Sequence, residues 1–396
     1  MAARLPIELL DIVAHNATIK TQANLSAVSR GAYSVSIRAL YASIPHMNTT
    51  RTFHCLSTLS TNPQVARLVR SFSLRLSSSR VVRDDPGLLA RGLGNMTSLT
   101  SLSLQLGVFA TSSVLSSMRC RLIKLVCVLS SDDTYPIANF LSTQPAIEEL
   151  YIVCAPDGLT NLRPEALPGL RDLAAPLRLL PKLLSSRISQ ISRLSVLGTM
   201  ADVDELLQLG VALETDKPPE SMELVIGVDI TAFLMTTDIL AHGLGLLGLR
   251  APFLNLLRLE IHRGHIRQDG LQRIFLDALP KLPKLKTLVV MSQPPYSSAY
   301  IREFPQAQPV QAAPSLFSIS NTPANEFSTL SPRYLSPQPE YDEARNWPSL
   351  VPDALHDKSC HIRILSAWHQ VHPKLERVVF PVGAYTYVNK KQRKGE

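Results

Sequence analysis

Between about residues 50 and 291 one short pattern returns along the chain: an apolar residue, two variable positions, an apolar residue, one variable position and a third apolar residue. Leu99-Leu102-Leu104, Ile147-Leu150-Ile152, Ile191-Leu194-Val196, Leu254-Leu257-Leu259 and Leu285-Leu288-Val290 are full copies, and Leu375-Val378-Phe380 repeats the pattern farther on. Weaker copies stand at Val69-Phe72-Leu74, around Leu125, at Leu170-Leu173 and near Leu224. The middle positions 102, 125, 150, 173 and 194 are spaced by 23, 25, 23 and 21 residues, and 194, 224, 257 and 288 by 30, 33 and 31. Each interval holds one short strand, a turn and a helix. Side chains alternate along a strand, so the apolar positions point inward and their neighbours face a concave surface. Residues 201–213 and 271–279 carry the helix-spaced apolar stripe that closes such a core from outside.

Stacked units of this kind bury what one unit cannot, which predicts an α/β solenoid with parallel strands inside and helices outside. The position where regular repeats carry an asparagine ladder holds Gly107, Ala155, His262 and Gln293, so an irregular solenoid is expected. A non-repeat α/β domain is the alternative reading of the same pattern.

The periodicity divides the chain further. Residues 1–45 read as three short helices: Leu5-Pro6-x-Glu8-Leu9-Leu10-x-Ile12-Val13, then residues 24–30, then residues 35–44. Pro6 suits a first helical turn, and Glu8 complements the helix dipole there. So short a module makes a thin core, and apolar surface is expected to await a partner. Residues 292–352 hold 11 of the 29 prolines among Ser, Gln and Ala, which predicts a disordered insertion. Order is expected to resume at 353–388 with a last repeat and cap, followed by a basic tail at 389–396.

Composition narrows the class. The 396 residues are 45% hydrophobic but only 6% aromatic, so aliphatic side chains fill the core. Five scattered cysteines without a CxxC pair predict reduced thiols, not a disulfide framework or a zinc site. The net charge is +8, yet the one compact basic run is Lys390, Lys391, Arg393 and Lys394, and no nucleic-acid-binding motif accompanies it. No nucleic-acid partner and no membrane span are therefore expected. The amino terminus lacks the apolar stretch of a signal peptide, which points to the cytoplasm or nucleus.

Few strings in the sequence have the spacing that chemistry needs. Gly243-Leu-Gly245-Leu-Leu-Gly248 fits GxGxxG as a string, but it follows a helix expected at 230–241 and reads as a helix end followed by a loop. His262-x-x-His265 and His369-x-x-His372 lack carboxylates at metalloprotease spacing. Asp202 before Asp204-Glu205 reads as a helix cap. No catalytic residue, metal or cofactor is expected, and the chain is read as a non-enzyme.

The LPxELL start, the LxxVSR segment at residues 25–30 and the Leu40-Tyr41 ending resemble the F-box-like proteins of mushroom-lineage fungi. Residues 367–388, with Trp368, Pro373-x-Leu375, Phe380-Pro381 and Gly383, are similar to the closing segment of the same proteins. Ala32 and Tyr33 stand where that family carries a tryptophan. The resemblance implies docking on the Skp-type adaptor of a cullin–RING ubiquitin ligase. Leu5, Pro6, Glu8, Leu9, Leu10, Val13, Leu25, Val28 and Arg30 match the motif residue by residue. The repeats would then present a protein substrate. On the strands that match the pattern, Glu149, Tyr151, Arg193, Arg258, Glu260 and Arg377 flank the buried positions, and Tyr, Arg and Glu make stronger anchors than a merely wet face needs. A repeat scaffold without any ligase is the rival function.

Overall fold

The structure is a computed structural model that describes residues 6–76, 86–106, 112–129, 137–292 and 353–387. The Pro-rich insertion and its Ser-Pro and Thr-Pro sites, the basic tail, Leu5, Gly107 and Gln293 lie outside the described residues.

Twelve strands form one sheet whose spatial order is the chain order: β1 (Ser43–Ile44), β2 (Ser71–Leu76), β3 (Ser101–Leu106), β4 (Lys124–Leu129), β5 (Glu149–Val153), β6 (Asp172–Pro176), β7 (Arg193–Met200), β8 (Met222–Asp229), β9 (Leu254–Arg263), β10 (Thr287–Ser292), β11 (Arg377–Phe380) and β12 (Gly383–Thr386). Every neighbouring pair is parallel except β11 and β12, which are antiparallel. A parallel neighbour requires a crossover. Several are helices: α4 (Thr49–Thr61), α5 (Pro63–Ala66), α6 (Pro86–Asn95), α7 (Ser112–Ser116), α8 (Ile137–Ser142), α9 (Leu180–Leu184), α10 (Val203–Leu213), α11 (Thr237–Arg250), α12 (Gln268–Ala278) and α13 (Lys358–Val371). The result is a solenoid-like α/β fold.

The middle positions of the repeated pattern meet in register. Phe72, Leu102, Leu125, Leu150, Leu173, Leu194, Leu224, Leu257, Leu288 and Val378 are successive partners across ten strands, and all are buried. The row lies in one continuous apolar cluster that also takes Leu206 and Leu209 from α10, Leu240 and Leu244 from α11, and Ile274 and Phe275 from α12. The unequal intervals have a simple cause. Short spacings hold α7, α8 or α9, of five or six residues, or, from β5 to β6, no α-helix, and long ones hold helices of eleven to fourteen.

Where a regular asparagine ladder is missing, other side chains staple the turns between helix and strand. Gln144 accepts from Leu122 N at 3.0 Å and donates to Cys120 O at 3.1 Å. Asn95 Nδ2 donates to Leu59 O and Ser60 O, and His372 Nε2 meets Leu285 O at 2.7 Å. Arg187 is buried, with Nε donating to Ala166 O at 2.6 Å, Nη1 to Leu183 O at 3.2 Å and Nη2 to Arg163 O. The adjacent Leu167 holds a left-handed φ of 58°, and its carbonyl accepts from Gln190 Nε2. The loop from β5 to β6, which has no α-helix of its own, thus has two of its carbonyls tied to one guanidinium.

Some expectations need correction. The glycine string is not a helix end: Gly243, Gly245 and Gly248 lie inside α11. A Cβ at Gly243 would stand 2.7 Å from Leu206 Cδ1, and one at Gly248 would stand 2.7 Å from Lys281 O. The glycines let α11 approach its neighbours closely. The helix begins at Thr237, not at residue 230, because Thr236 caps it by accepting from Ile239 N. Asp202 does cap α10, accepting from Asp204 N at 3.1 Å. Strands β1 and β12 lie outside the repeated pattern. β12 pairs antiparallel with β11 and covers the last parallel edge, so the strand at that end of the sheet is only four residues long, a short edge that offers little template for association.

The amino-terminal segment folds as three helices with bounds shifted from expectation: α1 (Ile7–Asn16), α2 (Ile19–Ser26) and α3 (Arg30–Ala42). Thr18 and Ser29 cap α2 and α3 through Thr21 N and Ala32 N. Among the described residues, no helix is long and apolar enough to cross a membrane.

Candidate functional site

Strand residues on either side of the buried row face away from the helices and form rows of their own. One row runs Ser71, Ser101, Lys124, Glu149, Asp172, Arg193 and Glu223 across β2 to β8. The next runs Ser73, Ser103, Val126, Tyr151, Ala174, Ser195, Val225 and Arg258. The open face therefore changes character along the sheet, with serines on β2 and β3 and a charged row beside an apolar one from β4 to β8.

Glu149 and Arg193 lie in the charged row; Tyr151 and Arg258 lie in the row beside it, and Glu260 pairs in register with Gly227 and Met291 one row farther. Arg377 is exposed on β11, far along the same face. Lys124 Nζ pairs with Glu149 Oε2 at 2.6 Å, and Arg258 Nη2 with Glu260 Oε1 at 2.7 Å, all part-exposed. The Nε of Arg258 is shielded from solvent without a hydrogen-bond partner.

Tyr151, Ala174, Ser195, Val126, Asp172 and Arg193 help to line a hollow of about 220 Å³. Lys124, Asp172 and Ala174 were not singled out from the sequence, because they flank the weak copies of the pattern at Leu125 and Leu173. Applying the flanking rule to those copies would have found them.

A second cleft, about 660 Å³, lies at the amino-terminal ends of β9 to β11 between Asn255, Lys284, Lys286, His369, Lys374 and Tyr387. His369 stacks on Tyr387 with ring centroids 4.3 Å apart, and Lys286 pairs with Glu376 at 3.1 Å.

Three of the cysteine thiols are poor nucleophiles. Burial pushes the thiols of Cys55, Cys120 and Cys154 up to about 11, so they stay protonated near neutral pH and react poorly. Ser292 Oγ lies 3.0 Å from His356 Nε2, but Asp353 Oδ2 approaches the same nitrogen at 3.9 Å. A relay needs the carboxylate on the opposite ring nitrogen, so this is not triad geometry. Among the described residues, no group of three or more His, Cys, Asp or Glu converges as metal ligands would.

The helical module forms the other candidate surface. Its buried residues are Ala14 on α1, Gln22 on α2, and Ala32, Val35 and Ser36 on α3. Gln22 Nε2 donates to Ala14 O at 2.8 Å and Ala17 O at 3.2 Å, so even this small core is partly polar. Leu9, Val13 and Val28 are exposed, the last by 72%, as are Ile7 and Ile12. Leu10 and Leu25 are half-buried. Pro6 occupies the N-cap of α1, Glu8 its first turn, and Arg30 the first position of α3. No described motif position is buried within the module. Compared with known protein families and with curated protein sequences, the chain matches none.

Proposed function

We propose that the chain is the substrate-recognition subunit of an SCF-type cullin–RING ubiquitin ligase. Its three amino-terminal helices dock a Skp-type adaptor, and repeats of the leucine-rich class present a protein substrate on the open sheet face. The observation that carries this reading is the exposure of Leu9, Val13 and Val28, with Ile7 and Ile12 beside them in sequence. In a free chain about half of Leu9 and Val13 and most of Val28 stand in water, and burying what is exposed contributes a share of the roughly 1.5–3 kcal/mol that full burial of such a side chain gives. A cap that only shielded the first repeat would turn its large aliphatics inward. This module buries two alanines, one valine, a serine and a glutamine instead.

Co-expression with a Skp-type adaptor, followed by size-exclusion chromatography, tests the reading. The full chain should co-elute with the adaptor, and Leu9→Asp with Val28→Asp should elute alone at an unchanged thermal midpoint. A wild-type chain that elutes alone would sink the ligase reading and leave the open face as the interaction surface of a scaffold.

A further inference from the structure

The open face holds a hollow in a particular place, and its surroundings define an occupant. On β2 and β3 the second row carries Ser73 and Ser103, as a solvated sheet face needs. On β4 to β8 the same row carries Val126, Tyr151, Ala174, Ser195 and Val225. The short Ala174 side chain between Tyr151 and Ser195 opens the hollow, and Tyr151 is 36% exposed at its wall. At about 220 Å³ it lies below the roughly 300–1,000 Å³ of sites that enclose a small-molecule ligand. It has the size and lining to take one large side chain of a protein partner.

The charged row at its rim decides what stands next to that side chain. From β4 to β8 the row sets two cations, Lys124 and Arg193, against three carboxylates, Glu149, Asp172 and Glu223. This local excess of negative charge sits on a chain of net charge +8. Lys124 is occupied by Glu149, whereas Asp172 has no ion pair or side-chain hydrogen bond among the described residues. Arg193 stands next to Asp172 in register without bonding it.

The geometry points to a peptide segment that inserts one large apolar side chain over Ala174 and sets an Arg or Lys beside it against Asp172. Arg193 is left for an acceptor on the same segment. An apolar core with a charged rim is the usual anatomy of a recognition patch. This inference rests on the open face being the substrate surface, but it does not depend on adaptor docking.

Selection of a random-sequence peptide display library on the immobilised full chain tests it. Enriched peptides should share a Leu, Met, Phe, Tyr or Trp next to Arg or Lys. Ala174→Trp, which fills the hollow from the solvent side, should weaken their binding by about tenfold or more. Asp172→Lys should reverse the preference, enriching acidic neighbours in place of basic ones, and so tests the idea even if the tryptophan variant folds poorly. Enrichment of peptides lacking the apolar–basic pair, indifference of selected peptides to both substitutions, or no enrichment at all would overturn the inference. Adaptor co-elution measured on the same variants separates the two proposals, because neither substitution touches the amino-terminal helices.

Discussion

The amino-terminal helices and the strand–helix body treat apolar residues in opposite ways. In the body the middle strand position is an aliphatic or phenylalanine on ten consecutive strands, and every one is buried. In the module Ile7, Leu9, Ile12, Val13 and Val28 remain exposed over a core of alanine, valine, serine and glutamine. Sequence hydrophobicity is similar in kind; its destination differs. A repeat finds its partner in the next repeat, so its apolar face is covered within the chain. Three short helices at the end of the row have too few neighbours for that, and these side chains stay at the surface.

The largest expected effect breaks the comparison from the body's side. Leu194→Ala, in the middle of the buried row, should cost about 2–5 kcal/mol in denaturant unfolding, because a cavity remains where the side chain was. A loss below about 1 kcal/mol would mean that the row does not carry the core's stability.

Arg187→Met should follow at about 2–3 kcal/mol, since four carbonyls lose a donor, two of them in the β5–β6 loop. Arg187→Lys should recover little, because an ammonium cannot reproduce the planar fork.

A pH dependence sharpens the comparison at the far end of the body. His361 is buried, its Nε2 donating to Ala354 O at 2.9 Å and its Nδ1 accepting from Tyr385 Oη at 2.8 Å. Burial holds its pKa below the ordinary 6.5. The unfolded chain then binds the proton more readily, so stability rises with pH from the depressed folded value up to about 6.5 and is flat above it. His361→Gln should remove part of that slope in denaturant titrations run across mildly acidic pH. An unchanged slope would show that other groups carry it.

The smallest stability effect is expected where the largest binding effect is. Leu9→Ala and Val28→Ala should each change stability by no more than about 0.5 kcal/mol, because neither side chain is part of the module's buried core. The pair should nevertheless abolish adaptor co-elution. Destabilisation well beyond that limit would place these residues in a folded core and erase the contrast between the two regions.

Much of the body was legible because its signal is local. A period of two in apolar residues marks a strand, and spacings of 21 to 33 residues leave room for a crossover. The weak copies at Leu125, Leu173 and Leu224 fall into the same buried row as the strong ones. The glycines of α11 were misread because a helix interior crowded by Leu206 and Lys281 looks, in one dimension, like a helix end. β1 and β12 escaped because two- and four-residue strands carry too little periodicity. At the open face the flanking rule located Tyr151 and Arg193 but not the hollow between their strands.

The sequence by itself determined which residues point inward, because alternation along a strand and stripes along a helix are properties of neighbouring positions. It also determined that the amino-terminal helices would be poorly cored, since so short a segment holds little to bury. Only the tertiary structure decided which outward residues meet. Tyr151, Ala174 and Ser195 are separated by more than twenty residues at each step, yet they sit on adjacent strands. The hollow between them and the guanidinium cage around Arg187 arise from cross-strand and cross-loop distances, which no local pattern encodes.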